Sequence, residues 1–417
     1  MLFNRPRAID YMRQCGVDVL VATSPVNITY FTDYFSWMDS LFKEYMMSPG
    51  ASSSLAQGYA VFPLEGEPAL IVSPLNAVNA RDLWVREVHC FGASGLDESL
   101  SPNIQLGAAQ LFYDLLHAPN PNATSTAELL SLLKARGLAD ARIGIEMEGL
   151  TPKAHAALAG ALPKAQVKDC SNLIRLIRAV KSDEEIHRLA RSAEINEQVA
   201  MECLAMAKPG GRALDLAHHY RSRAAELGAD FDHFAFGIGG LGIATEPDYI
   251  FTKEDILFVD FGCVYQRYFS DSGTTLALCP PSPTLLERHS ALRACVEAAV
   301  NQIRPGVPAS VVRGAMWQTL NAQGITATFP HGHGLGLELR DYPIVVPNNG
   351  LRLCDNCIDV PSDLPLEPNM VFNLEAAIFS AGVASLHIEK TFVVTADGCR
   401  PLTSQNRSAP FQPHLLH

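Results

Sequence analysis

The chain has 417 residues, of which 48% are hydrophobic and 18% charged, with a formal net charge of -12. That apolar content excludes a disordered chain, and the length favours two domains over one core. The acidic balance argues against a nucleic-acid partner, which needs a basic surface to neutralise phosphates.

No apolar run approaches the ~20 residues that span a bilayer, and the first ten residues lack a signal-peptide layout. A cytoplasmic protein with no membrane partner is expected. The ten cysteines fit that expectation as isolated thiols in apolar segments, for example around Cys203 and Cys295. One pair, Cys354-Asp-Asn-Cys357, has the spacing of a metal knuckle or redox motif. Without a second pair it is read as incidental.

In chain order, roughly the first 170 residues alternate helical and strand patterns, as an α/β domain does. Residues 5–15 have a helical pattern stopped by Gly16, and residues 17–21 read as a strand. Residues 59–62 and 69–72 flank Pro63-Leu-Glu-Gly66, the pattern of a hairpin. A helix is predicted over 126–136 and a strand over 142–146. Residues 37–55 have no clear period, so they are expected to be mobile or part of a site. A linker helix over 172–180 leads to Ser182-Asp-Glu-Glu185, a capping box.

The helix opened by that box keeps apolar spacing at Ile186, Leu189, Ala193, Ile195 and Val199 and runs to about Met206. Lys208-Pro209-Gly210 stops it, and a second helix is predicted over 214–227. The order recurs as a helix over 284–303, then Arg304-Pro305-Gly306, then a helix over 310–321. An internal duplication of this kind can bury a site between two related halves.

Four acids and one imidazole stand where such a site would form. Asp260 ends the apolar run 256–259, and Asp271 closes what reads as the return strand of a hairpin. His333 lies in Pro330-His-Gly-His-Gly-Leu-Gly336, Glu375 follows the run 370–374, and Glu389 follows Leu386-His387-Ile388. Acids at the ends of apolar strands are costly to bury alone, and a shared cation is the simplest partner. The donor set suits Mn²⁺, Fe²⁺, Co²⁺ or Zn²⁺. Four acids overcharge one ion but fit two, which points to hydrolysis of an amide-like bond.

Nearby features take plainer readings. His331 is read as a supporting or structural residue and His218-His219 as an exposed helix face. Gly237-Ile-Gly-Gly-Leu-Gly242 matches a dinucleotide fingerprint but does not open a helix, so these glycines are expected to serve turns or close backbone approach. Asp232-His233-Phe234 lies where the chain reaches the site region.

The run Val259-Asp-Phe-Gly262 with Ser270-Asp271, then Gly332-His-Gly-Leu-Gly336, then Glu367 to Phe372 leading to Glu375, then Ile388-Glu389, resembles the pita-bread metallopeptidases. That family includes methionine aminopeptidase, aminopeptidase P, prolidase and the metal-free creatinase. The resemblance covers the chain from about Arg178 onward, and Val26-Asn-Ile-Thr-Tyr-Phe-Thr32 is similar to the Asn-x-x-Tyr-Leu-Thr turn of the N-terminal domain that prolidase, aminopeptidase P and creatinase carry.

The resemblance implies an α+β chain, with a creatinase-type N-terminal α/β domain over residues 1–172 and a pita-bread catalytic domain over 173–417. It implies a dinuclear hydrolase, closest in plan to Xaa-Pro dipeptidase and aminopeptidase P. Such an enzyme cleaves a dipeptide or small C–N substrate with a hydroxide shared by two divalent ions (Mn, Co, Fe or Zn). Asp260 would hold one ion, Asp271 and Glu389 both, and His333 and Glu375 would complete the second. Glu375 would also exchange a proton with the attacking water. Relatives of this plan are often homodimers in which one N-terminal domain lines the partner's site, a role residues 37–55 would suit.

Two departures qualify the match. The histidine usual about a dozen residues before the first aspartate is absent from the loop 244–248, and Arg340-Asp341-Tyr342-Pro343 replaces a second usual histidine. Arg340 is read as an oxyanion or carboxylate clamp, because its fixed fork suits carboxylates. His233 is the candidate stand-in for a missing imidazole. The stretch 343–366, which holds the two-cysteine motif, is longer than in relatives and is expected near the site mouth. The departures leave open a repurposed amidase or lyase acting on a non-peptide small molecule, or a non-catalytic binding scaffold. The complete ligand set favours the hydrolase.

Overall fold

A computed structural model describes the chain except for residues 52, 54, 56–57, 93–94, 98, 100–105, 118–121, 404–408 and 414–417, and the Met47 and Ala108 side chains. It divides into two units, Met1–Ile177 with Leu353–Val360, and Arg178–Arg352 with Pro361–His417. Among the described residues, no helix is long and apolar enough to cross a membrane.

The first unit contains, in order, α1 (Arg5–Cys15), β1 (Val19–Ala22), α2 (Pro25–Thr32), α3 (Glu44–Met47), β2 (Tyr59–Pro63), β3 (Ala69–Val72), β4 (Glu87–Cys90), α4 (Gln110–His117), α5 (Ser125–Ala135), β5 (Arg142–Ile145), α6 (Pro152–Ala161) and β6 (Gln166–Asp169). Its sheet has the order β4-β3-β2-β1-β5-β6. The β2/β3 and β1/β2 pairs are antiparallel and the outer pairs parallel. Val21, Val61, Ile71 and Ile145 of the sheet pack with Leu129, Leu133 and Leu158 of the helices. The end of α1 fits its sequence, since Gly16 takes a left-handed φ of 61° that most side chains resist.

Residues 26–32 are helical, not the turn that the resemblance implied. Ser24 caps α2, Pro25 opens it, and Asp33 closes it at a φ of 62°. Asn27 of this helix donates its Nδ2 to Glu146 Oε1 at 2.6 Å. The backbone N–H groups of Thr23 and Ser24 donate to Glu146 Oε2 at 2.8 and 2.9 Å. Both oxygens of this buried acid are therefore satisfied by the polypeptide itself.

Within residues 37–55, α3 and turns leave Trp37, Leu41, Tyr45 and Met46 exposed. The Cys354/Cys357 segment groups with the first unit, not with the unit that carries Asp260, Asp271, Glu375 and Glu389, which lie inside longer strands and not at strand ends as expected. Asp355 Oδ1 accepts from the N–H groups of Cys357 and Ile358 at 2.7 and 2.9 Å, a tight turn with both thiols free.

Helix α7 (Ser171–Ala179) leads to the second unit, which begins with α8 (Asp183–Ala205), α9 (Ala213–Glu226), β7 (Ala229–Gly237), β8 (Ile243–Thr245), β9 (Ile256–Tyr265) and β10 (Tyr268–Ala277). There follow α10 (Pro283–Val300), α11 (Ala309–Ala322), β11 (Gly332–Gly334), β12 (Asp341–Val345), then β13 (Arg352–Cys354) and β14 (Asp359–Pro361), which fall mostly in the segment that groups with the first unit, and β15 (Val371–Ser380), β16 (Ala384–Val394) and β17 (Cys399–Pro401). The capping box is present, with Ser182 and Glu185 exchanging backbone donors at the start of α8.

The main sheet runs β12-β11-β15-β16-β10-β9-β7-β8, with β17 beside β16. Both predicted helix pairs form, and they cover one face of the sheet. Val199, Leu216 and Tyr220 of α8 and α9 pack on Phe234, Val259 and Phe261. Leu292, Val296 and Met316 of α10 and α11 pack on Phe372, Leu374 and Leu386. Side chains alternate along a strand, so the intervening residues must point to the other face. Those residues include His233, Asp260, Asp271, Glu375, His387 and Glu389.

The Gly237–Gly242 stretch contains a short 3₁₀ turn and no following helix. A Cβ on Gly240 would lie 2.1 Å from the Ser380 carbonyl oxygen, so close backbone approach accounts for the glycine.

Candidate metal centre

Strand pairing alone assembles the acids. On one face, His233 pairs with Gly262 and Gly262 with Asp271 across β7, β9 and β10. In the next row, Asp260 pairs with Gly273, Gly273 with Glu389, and Glu389 with Glu375. His333 joins from β11, which lies between β12 and β15. All five residues expected as ligands thus lie on one face of one sheet.

Ligand-capable atoms in this group form three overlapping triads. His233, Asp260 and Asp271 make one, Asp271, His333 and Glu389 the next, and Glu375, His387 and Glu389 the last, each with such atoms within 4.8 Å of one another. Asp271 and Glu389 are each shared by two triads, and each triad contains one imidazole.

The histidines are oriented alike. His333 Nδ1 lies 3.1 Å from the Gly334 carbonyl oxygen, which can only accept, so Nδ1 carries the proton. Its Nε2 then presents a lone pair 3.3 Å from Asp271 Oδ2. His233 Nδ1 donates to Asp232 Oδ2 at 2.7 Å, and Nε2 lies 3.1 Å from Asp260 Oδ1 and 3.5 Å from Asp271 Oδ1. His387 Nδ1 donates to the Val259 carbonyl at 3.1 Å. His331 Nδ1 donates to the Phe329 carbonyl at 3.0 Å, while Nε2 sits 2.8 Å from Glu375 Oε1. An imidazole anchored through Nδ1 with Nε2 aimed inward is the arrangement metal-ligating histidines adopt.

Asn373 binds the set together. It accepts from the His333 N–H at 2.7 Å and donates its amide to Glu389 Oε1.

The charges do not balance within the polypeptide. Burial, and then the charges of Asp271, Glu375 and Asp260, push the Glu389 carboxyl well above its usual range. Asp260 is raised by burial and by Asp271. Burial also opposes ionisation of Asp271 and Glu375, but imidazoles outweigh it. In their protonated form His233 and His333 hold Asp271 below the carboxylate range, and His331 and His387 hold Glu375 at about 2; with Nε2 unprotonated, that compensation falls to a bound cation. Glu389 Oε2 and His387 Nε2 are both buried without a hydrogen-bond partner. An unpaired carboxylate oxygen and an unpaired imidazole lone pair are two acceptors that a cation satisfies together. The residues present therefore fit divalent metal.

Arg340 and Asp341, read together from the sequence, part ways. Arg340 is exposed, and its charge is felt by His331. Asp341 is buried between Arg178 and Lys181, with Oδ2 3.2 Å from a nitrogen of each. Sequence reasoning gave no role to His387, although it stands two residues before Glu389 and must share its face.

The chain matches two family models, metallopeptidase family M24 over residues 187–396 and the creatinase/prolidase N-terminal domain over residues 5–180. A Xaa-Pro dipeptidase of Lactobacillus delbrueckii subsp. lactis is 23% identical over 420 residues, covering 98% of this chain and 99% of its own. An uncharacterised peptidase of Bacillus subtilis (strain 168), YqhT, is 28% identical over 269 residues, 63% of this chain and 72% of its own.

Among solved structures, a Xaa-Pro dipeptidase from Bacillus anthracis superposes with a TM-score of 0.70 at 19% identity, covering 98% of this chain and 99% of its own. The prolidase from Pyrococcus horikoshii OT3 gives 0.69 at 20%, covering 97% and 99%. These structures share the fold, a creatinase-type N-terminal domain followed by a pita-bread domain.

Proposed function

This chain belongs to metallopeptidase family M24 and is a metal-dependent peptidase, and from that premise we propose that it hydrolyses Xaa-Pro dipeptides with two divalent ions. The observation that carries the reading is the cluster of four acids on one sheet face, in which Glu389 is buried with an unpaired oxygen. Under this proposal Asp260 serves one ion, Asp271 and Glu389 serve both, and His333 and Glu375 complete the second. Ions held there supply Lewis-acid polarisation of the scissile carbonyl. Mn²⁺ and Co²⁺ are the ions proposed for assay.

The remaining chemistry belongs to side chains. Glu375 takes a proton from the attacking water and returns it to the departing amine, a task for a carboxylate held near both. His331, 2.8 Å from Glu375 Oε1, orients that carboxylate. His233, fixed through Nδ1 by Asp232, supports the part of a missing imidazole by placing a nitrogen beside Asp260 and Asp271. Arg340, exposed and close enough for its charge to reach His331, clamps the substrate carboxylate.

The proposed domain division is residues 1–172 and 173–417, the proposed location the cytoplasm and the proposed assembly a homodimer. Exposed Trp37, Leu41, Tyr45 and Met46 support assembly through the N-terminal domain, which light scattering of the purified protein tests.

Metal-loaded protein is expected to cleave Xaa-Pro dipeptides, and Asp271→Ala to abolish the activity. Metal-loaded wild type that cleaves no Xaa-Pro dipeptide would overturn the substrate assignment.

A further inference from the structure

His387 lies outside the five residues expected as ligands, yet its environment is built as tightly as theirs. It is fully buried, and its ring stacks on Phe258 with centroids 3.9 Å apart at an interplanar angle of 16°. Nδ1 is committed to the Val259 carbonyl oxygen, which fixes the proton there and leaves the Nε2 lone pair free. That Nε2 lies 3.8 Å from both Glu375 Oε2 and Glu389 Oε2, too far for a hydrogen bond to either, and it has no other partner.

The backbone beneath the ring is also adapted to it. A Cβ on Gly273 would lie 2.1 Å from His387 Cε1, so only glycine at that position of β10 leaves room for the imidazole. A buried lone pair facing two carboxylate oxygens is repulsive unless a cation stands between them.

We propose that His387 is a metal ligand, an Nε2 donor to the ion on the Glu375/Glu389 side of the centre. The inference rests on the dinuclear reading above and adds a second nitrogen to a donor set that otherwise has one. Nitrogen donors favour Co²⁺ and Zn²⁺ over Mn²⁺, so His387 sets metal preference as well as affinity.

The test is titration of metal-free full-length protein with Co²⁺, and separately with Mn²⁺, followed by calorimetry and by the visible absorption of the Co²⁺ form. Wild type is expected to take up two ions. His387→Ala is expected to lose about 100-fold in Co²⁺ affinity at one of them, a loss at least as large as supporting residues of metal sites show. Its preference for Co²⁺ over Mn²⁺ should fall, and its absorption bands should shift.

His387→Asn, whose amide nitrogen stands at the Nδ1 position and keeps a donor for the Val259 carbonyl, replaces the alanine variant if that fails to fold. X-ray absorption of the Co²⁺ form of His333→Ala gives a reading that leaves His387 untouched, since removal of His333 alone should leave imidazole scattering behind. Two Co²⁺ ions bound by a folded His387 variant with unchanged affinity, preference and spectrum would overturn this assignment alone. Failure of wild type to bind any Co²⁺ or Mn²⁺ would overturn the dinuclear reading with it.

Discussion

Glu146, just past the end of β5 in the first unit, and Glu389, inside β16 in the second, are both buried glutamates, 1% and 3% exposed. Glu146 receives two backbone N–H groups and an Asn27 amide within 2.9 Å. Glu389 receives an amide from Asn373 and keeps an oxygen that no group among the described residues satisfies. Burial of an acid is thus not what marks a site. The mark is a buried carboxylate oxygen without a donor, set beside three other acids on the same sheet face. Asp341 belongs with Glu146 in this respect, because Arg178 and Lys181 neutralise it from inside the fold.

The comparison breaks most visibly at Glu389. Glu389→Gln should lower kcat/KM on a Xaa-Pro dipeptide by about 10³-fold or more, as expected when a bridging charge is lost. The same variant should hold or raise the melting temperature of the metal-free protein while losing the rise that added metal gives wild type. A metal-free variant less stable than wild type would place Glu389 with Glu146.

Asp341→Ala is expected to leave the buried Lys181 without its carboxylate, while Arg178 keeps Glu338, at a cost of about 3–5 kcal/mol in urea unfolding, the range for breaking a buried ion pair. Glu146→Gln turns an amide donor toward backbone N–H groups that need an acceptor. Its expected cost is about 1–3 kcal/mol, with metal uptake unchanged.

The smallest effect concerns Glu185. Burial, only partly offset by Lys181, the Ser182 N–H and Tyr268, raises its carboxyl from 4.5 to about 7. A carboxyl raised in the folded state binds its proton more tightly there than in the unfolded chain. Its contribution to stability is therefore complete below pH 4.5 and is lost as pH rises through about 7. Glu185→Gln should flatten that part of the stability profile, read as denaturant midpoints across the window.

Much of this was legible in the sequence because it depended on local period. The runs 256–259, 370–374 and 386–388 read as strands, and the acids ending them fell on one face. The Ser182 box and the two Pro-Gly breaks placed the helix pairs. Residues 26–32 misled because an apolar stretch was matched as a turn, although Ser24-Pro25 is a helix start.

His233 escaped a firm role because β7 shifts register between Phe231 and His233, which changes the face a strict alternation assigns. His387 was available from the two-residue period with Glu389, but its significance came from Gly273, more than a hundred positions earlier in the chain. No local pattern reports that a glycine in one strand makes room for a ring in another.

The most direct test of the central claim is diffraction from crystals of the Co²⁺-loaded protein at the cobalt absorption edge. Two anomalous peaks, each within bonding distance of Asp271 and Glu389 and flanked by Asp260 on one side and by Glu375 and His333 on the other, are predicted. An anomalous map with no peak among these acids would contradict the account.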